Sequence, residues 1–383
     1  SRFAHGAGAD DTLKLALIGC GGRGSGATGQ ALTTGACRLV AMADAFKDSL
    51  EASYNGLKQK FGDKVDVPAD RRFVGLEAYQ QAIAAADVVV LGAPPGFRPQ
   101  HFEETVKQGK HAFLEKPVAT DAPGIRRMLA AVEESKKKNL KVVVGLQRHY
   151  QPGYIEAAKR VHDGAIGRIT ALRCYWNDAG VWVNPREKVA QMLGRTPTEM
   201  EFQMKNWYYF TWLSGDHIVE QHVHNIDVCN WLMKDYPTRC QGMGGRQIRV
   251  AKEYGEIFDH HAVEFQYKDG TRMFSFCRHM PNCWSSVTEH AVGTTGSCEL
   301  SNTQWIIRDD KGKIAWRFKS EVPVDPYQVE HDVLFDAIKN NKELNDAENG
   351  TRSTMSGIMG RLATYSGQQI LLDDALESAA DLF

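Results

Sequence analysis

The chain has 383 residues, 43% of them hydrophobic and 24% charged, with a formal net charge of -1. That is long enough to bury cores in two domains and too balanced in charge to favour nucleic acid as a partner. The longest largely apolar stretch, residues 86–95, falls well short of the ~20 residues that a membrane-spanning helix needs, so no membrane is expected.

The first 11 residues are small and polar, with Ala4, Gly6, Ala7 and Gly8. Such a stub is what a removed secretory leader would leave, so an exported, periplasmic protein is one expectation and a cytoplasmic one the other. Residues 12–150 then alternate short β-rich runs with helical ones, the pattern of a parallel sheet covered by helices on both faces. Strands are expected at 13–19, 37–44, 71–74, 87–93, 112–115 and 142–145. The eight cysteines are scattered without a C-x-x-C pair, which argues against a disulfide scaffold and a cysteine zinc site.

The first strand runs into Gly19-Cys20-Gly21-Gly22-Arg23-Gly24, a G-x-G-x-x-G turn before a helix-compatible segment. The first glycine permits the turn, the second lets backbone approach a pyrophosphate, and the third allows helix to pack on strand. The helix N-terminus would then face the phosphates, where its dipole favours negative charge. Asp44 ends the second strand, where a carboxylate can bind ribose hydroxyls; it would repel a 2′-phosphate, so NAD is expected over NADP despite nearby Lys47. Residues 12–150 are therefore expected to form a Rossmann dinucleotide-binding domain. Gly92-Ala93-Pro94-Pro95 and Glu115-Lys116-Pro117 end the fourth and fifth strands, where an open α/β sheet places its ligands. The expected cofactor contacts are Gly19, Gly21, Gly22, Arg23, Gly24, Asp44, Pro94, Glu115 and Lys116.

Residues 151–383 read as a second, substrate-binding domain. Arg148, His149 and Tyr150 stand at the junction, with Arg148 and Tyr150 placed to reach a substrate. From residue 168 strand-like runs follow one another across turns such as Lys268-Asp269-Gly270 and Asp309-Asp310-Lys311-Gly312, the pattern of a large, mainly antiparallel sheet. The fold class is thus α/β plus α+β. Helical stretches at 329–340 and 351–366 are expected to pack back on the first domain. The stretch between Cys174 and Gly215 reads as long and irregular, ending in Asn206-Trp207-Tyr208-Tyr209-Phe210-Thr211-Trp212. Aromatic faces suit sugar rings and also suit a core, so Trp182, Asn184, Asn206 and Tyr208 are candidate pocket residues against the alternative of packing.

Residues 215–227 are the most informative part of the second half. As one helix they put His217, Glu220, His224 and Asp227 on one stripe and Val219, Val223 and Ile226 on another. Histidines and carboxylates opposite an apolar face suggest a pocket wall. Removing a hydride from a secondary alcohol needs a base for the proton and a cation for the developing alkoxide, and His224 and Lys116 can supply them. His260, His261, His279 and His290 lie on strand-like segments, but their spacing matches no recognised metal site and no metal is expected.

With Gly19 to Gly24, Glu115-Lys116-Pro117, His224-Asn225-Ile226-Asp227 and Tyr365-Ser366-Gly367 on the page, the chain resembles the Gfo/Idh/MocA family of sugar and cyclitol oxidoreductases over nearly its whole length. The resemblance implies that Lys116 and His224 are catalytic and that Asp227 contacts substrate hydroxyls. The family's aspartate four residues before the histidine is Glu220 here, expected still to orient His224. Its glycine two residues before is His222, implying a more crowded pocket. The implied function is NAD-dependent oxidation of a ring hydroxyl of a sugar, glycoside or cyclitol. The first alternative is an NAD-dependent glycosidase working by transient oxidation and elimination; the second is a non-catalytic NAD-binding homologue. By analogy a homodimer or homotetramer is expected.

Overall fold

The computed structural model describes residues 12–320 and 322–383; the N-terminal stub lies outside them. The first half builds β1 (Leu13–Ile18), α1 (Gly22–Thr33), β2 (Cys37–Asp44), α2 (Lys47–Phe61), β3 (Arg72–Val74), α3 (Ala78–Ala84), β4 (Val88–Leu91), α4 (Arg98–Lys107), β5 (His111–Leu114), α5 (Ala122–Lys137) and β6 (Val142–Val144). The strands form one parallel sheet in the order β3-β2-β1-β4-β5-β6. Helices cover both faces, so β4 and β6 are uninterrupted Val/Leu runs with every side chain buried. All six strands stand where the sequence places them, with ends differing by at most two residues.

After α6 (Pro152–His162) and β7 (Ile169–Asp178), the 174–215 stretch departs from the expected irregular loop. It holds α7 (Arg186–Leu193), α8 (Glu199–Lys205), a single 3-10 turn at Trp207–Tyr209 and α9 (Thr211–Ser214). Helix α7 stops at Gly194, whose φ of 67° is left-handed, and α8 starts with a reciprocal capping box between Thr198 and Glu201. Tyr208, Tyr209 and Phe210 pack with Phe97, Val189 and Phe202 into a small core of their own. Most of the aromatic run therefore serves packing.

The helix expected over 215–227 is also broken, into α10 (His217–Glu220) and α11 (Val223–Met233). At the break the His222 N–H reaches back five residues to the His217 carbonyl, a spacing that an α-helix does not sustain. The polar stripe is thereby split, and its members face different neighbours.

The remaining strands are β8 (Arg239–Gly245), β9 (His260–Gln266), β10 (Arg272–His279), β11 (Ser286–Gly293), β12 (Gly296–Ser301), β13 (Gln304–Asp309) and β14 (Ile314–Arg317). They are followed by α12 (Pro326–Lys339), α13 (Ala347–Ser366), β15 (Ile370–Leu371) and α14 (Leu372–Glu377). The second sheet has nine strands in the order β14-β13-β12-β11-β7-β10-β9-β8-β15. It is antiparallel apart from the central β7–β10 pair. One face, carrying Cys174, Trp176, Ser275 and His279, turns toward α10 and α11. Helix α12 lies against α1, and α13 lies between α5 and strands β8 and β9.

Candidate active site

The glycine turn after β1 opens onto a groove of about 420 Å³. Gly19 has a φ of +85°, and a Cβ there would stand 2.2 Å from the Ala93 nitrogen. A Cβ on Gly24 would stand 2.1 Å from the Gly19 carbonyl oxygen, so this glycine sets how closely α1 approaches β1. At Gly21 and Gly22 a Cβ would meet nothing within 4 Å, which leaves the start of α1 open to a ligand. No side chain caps that helix end, so its first N–H groups face the groove, as a bound pyrophosphate requires.

Asp44 lines the same groove. Its carboxylate accepts the Cys20 N–H at 2.7 Å and the Phe46 N–H at 2.8 Å, one per oxygen, which leaves acceptor capacity for ribose hydroxyls. Of the two lysines, Lys205 and not Lys47 lines the groove, held by Asp48 at 2.7 Å and Ser49 at 2.9 Å. No sequence signal marked Lys205, because only the folding of the 174–215 stretch brings it across. Pro94 and Trp182 also line the groove, Trp182 beside Trp207. Arg23 departs from a simple phosphate contact: its Nε donates to Glu115 at 2.5 Å, tying α1 to the end of β5.

Lys116 follows directly. Its ammonium donates to Glu220 Oε1 at 3.0 Å and to the Glu220 backbone carbonyl, so Glu220 orients Lys116 and not His224 as the sequence suggested. The pair joins the two domains, and both side chains are 11% exposed. His224 is buried, with its ring stacked on Trp176 at 5.9 Å and its Nδ1 without a partner. Burial first, then the charges of Lys116 and Arg148, hold its pKa well below the ordinary histidine value. The imidazole is therefore neutral and able to accept a proton. Trp176, which sequence reasoning passed over, sits on the same strand face as Leu172 and Cys174; strand alternation was the signal that could have found it. The Tyr208 hydroxyl is buried without a partner, and burial, then Glu220, raises its pKa.

Five expected substrate contacts are instead committed to the frame. Arg148 forms a buried ion pair with Glu289 at 2.5 Å, and Glu289 also accepts from Tyr154 at 2.9 Å and Asn225 at 2.5 Å. Burial raises Glu289 to about 7 against the pull of Arg148. Tyr150 donates to Asp346. Asn206 accepts from the Asn184 N–H at 2.9 Å and donates to the Glu253 carbonyl at 2.7 Å. His222 lies 2.8 Å from Ser275 Oγ, beside Cys174. Asp227 takes three partners, His149 at 2.7 Å, Asn349 at 3.0 Å and Ser353 at 2.8 Å, and is 1% exposed. The break in the 215–227 helix separates His217 and Glu220 on α10 from His224 and Asp227 on α11, while His222 at the break meets the same sheet face as His224.

The comparisons with known proteins agree with this architecture. Residues 13–145 match the model of the oxidoreductase family with an NAD-binding Rossmann fold, and residues 154–299 match the GFO/IDH/MocA C-terminal domain. An inositol 2-dehydrogenase of Rhizobium meliloti (strain 1021) is 29% identical over 160 residues, 41% of this chain and 43% of that protein. A glycosyl hydrolase family 109 protein of Streptomyces coelicolor is 28% identical over 166 residues, 42% of this chain and 33% of that protein. Both matches span less than half of the relative's length. The solved scyllo-inositol dehydrogenase of Lactobacillus casei, with bound NAD(H) and scyllo-inositol, superposes with a TM-score of 0.69 at 20% identity, covering 94% of this chain and 99% of that one. With family models matching its dinucleotide domain and most of its large sheet, the chain belongs to the Gfo/Idh/MocA oxidoreductase family.

Proposed function

We propose that the protein is an NAD-dependent dehydrogenase that oxidises a ring hydroxyl of a cyclitol, sugar or glycoside. One observation carries the reading: a neutral, buried His224 stands within the field of Lys116, whose ammonium is fixed by Glu220 at the carboxyl end of β5. In this reading His224 takes the hydroxyl proton, and Lys116 steadies the negative charge that develops on the substrate oxygen. Glu220 aims Lys116. Bound NAD would supply the hydride acceptor, held by the open turn at Gly21 and Gly22 and by Asp44. Asp44 favours NAD over NADP, because its carboxylate would repel a 2′-phosphate and the groove's Lys205 is already paired with Asp48.

The glycosidase alternative gains support from the Tyr208 hydroxyl, which is buried near Glu220 without a partner. Elimination needs proton carriers beyond the one that serves oxidation. A panel of cyclitols, sugars and aryl glycosides incubated with NAD separates the readings, if reduced cofactor and released aglycone are followed together. Net NADH without cleavage is expected; cleavage without net NADH would replace the dehydrogenase with the glycosidase, and silence in both channels would leave neither standing.

A further inference from the structure

Between α9 and α10 the chain gathers a buried cluster that the proposed chemistry does not use. Asp216 is a non-glycine residue with a φ of 74°, a conformation that costs free energy and persists only where the surroundings impose it. Its Oδ1 lies 3.0 Å from His217 Nδ1 and 3.3 Å from His261 Nε2, and all three side chains have no exposed surface. One ligand atom from each residue can be chosen so that all three lie within 4.8 Å of one another.

The hydrogen bonds around the cluster fix where its lone pairs point. Thr364 Oγ1 donates to the Arg361 carbonyl at 3.0 Å, so at 2.9 Å it accepts the Nδ1 proton of His261. His261 Nε2 then faces Asp216 Oδ1 at 3.3 Å without a hydrogen bond. His217 Nδ1 lies 3.1 Å from the Phe258 carbonyl, and its Nε2 is likewise buried without a partner. Asp216 Oδ1 also accepts the His217 backbone N–H, but the two imidazole Nε2 atoms stay buried without a partner, a cost that a bound cation would remove.

The outer partners are those that support a ligating set. The second oxygen of Asp216 accepts the Tyr365 hydroxyl at 2.7 Å and the Phe258 N–H at 2.9 Å, while Thr364 orients His261 from behind. An ion with bonds of about 2.0–2.2 Å spaces its ligand atoms by roughly 3.0–3.5 Å in tetrahedral or octahedral geometry, and Asp216 Oδ1 and His261 Nε2 stand 3.3 Å apart. We propose that Asp216, His217 and His261 bind one divalent transition-metal ion of the zinc class, as an imidazole and carboxylate donor set selects. The sequence carried no such expectation, because β9 brings His261 to the pair only in the folded chain.

The ion would brace the turn that aims the active-site lysine. The Asp216 carbonyl accepts the N–H groups of Val219 at 3.0 Å and Glu220 at 2.8 Å, and Glu220 in turn holds Lys116. The test is metal content by mass spectrometry of protein purified without chelators, followed by titration of the stripped wild type with Co²⁺, whose visible spectrum reports imidazole and carboxylate ligation. The expected result is about one ion per chain, saturable Co²⁺ uptake and a lower melting temperature after stripping. His261→Ala and Asp216→Asn should lose about tenfold or more in metal affinity, while His290→Ala on the outer sheet face keeps it. Wild type that holds less than about a tenth of an equivalent and shows no saturable Co²⁺ spectrum would overturn the proposal and leave the cluster a metal-free histidine–carboxylate network. The wild-type titration decides the matter even where a variant fails to fold.

Discussion

In the proposed reaction His224 must be neutral to accept a proton, and burial and the nearby cations Lys116 and Arg148 all disfavour the imidazolium. The sign of the consequence follows. A base whose pKa is held down is still deprotonated below the ordinary histidine value of about 6.5, so kcat/KM should persist as pH falls through that value and decline only at a lower one. His224→Ala should lower kcat by about 10²–10⁴-fold. An acid limb centred at or above about 6.5 in the wild-type pH profile would remove His224 from the role of base. Asp44 offers a second residue-level test. A charge-assisted hydrogen bond to ribose is worth about 1.5–3 kcal/mol, so Asp44→Ala should weaken NAD about 10- to 100-fold in a fluorescence titration and leave NADP no longer disfavoured. Tighter NADP than NAD binding by the wild type would contradict the assignment. At this scale the sequence was partly legible. Asp44 and Lys116 could be placed at the ends of β2 and β5 because the strand pattern around each is local, whereas His224 was singled out by the histidine-rich stripe and the family resemblance. Asp227, His222 and Arg148 read as pocket residues because nothing in the sequence reveals that His149, Ser275 and Glu289 arrive to claim them.

Helix α1 and strand β1 meet through glycines, which allows packing and cofactor binding to be separated. A glycine inside a helix ordinarily costs roughly 0.5–1 kcal/mol relative to alanine, so Gly24→Ala would stabilise the fold if space allowed. The 2.1 Å approach to the Gly19 carbonyl reverses that sign, because backbone cannot yield cheaply. Gly24→Ala should lower stability by about 1–3 kcal/mol in chemical denaturation and loosen NAD as well. Gly21→Ala meets no protein atom within 4 Å, so it should leave the denaturation midpoint unchanged and weaken NAD alone. Equal midpoints for the two variants would refute this account of the turn. The strands were legible element by element because hydrophobic runs and glycine punctuation are local. The capping box at Thr198 and Glu201 was legible too, as a T-x-x-E spacing, but the aromatic run beside it drew the reading toward an irregular loop. The break at Gln221 and His222 was not legible. Helical periodicity continues straight across it, and the five-residue hydrogen bond that opens it depends on where Ser275 and Cys174 hold the His222 ring.

The two sheets meet along the line from Lys116 through Glu220 to His224, and that line exists only in the assembled molecule. The parallel sheet supplies Lys116 from β5, while the chain ahead of α11 supplies Glu220 and α11 supplies His224, with Trp176 of the second sheet behind the imidazole. The alternating and then hairpin-rich pattern was enough to read the sheet classes. The parallel pairing of β7 with β10 at the centre of the second sheet was beyond it, because the whole helical insertion, α10, α11, β8 and β9 lie between those strands. The reading of the whole molecule as a dehydrogenase turns on whether Lys116 acts in the chemical step or only holds the domains together. Single-turnover formation of reduced cofactor, with a substrate found in the panel and with NAD affinity measured in parallel, distinguishes these. Lys116→Ala should bind NAD with near wild-type Kd yet form NADH slower by about 10²–10⁴-fold; a variant that reduces NAD at the wild-type rate would contradict the central role given to Lys116.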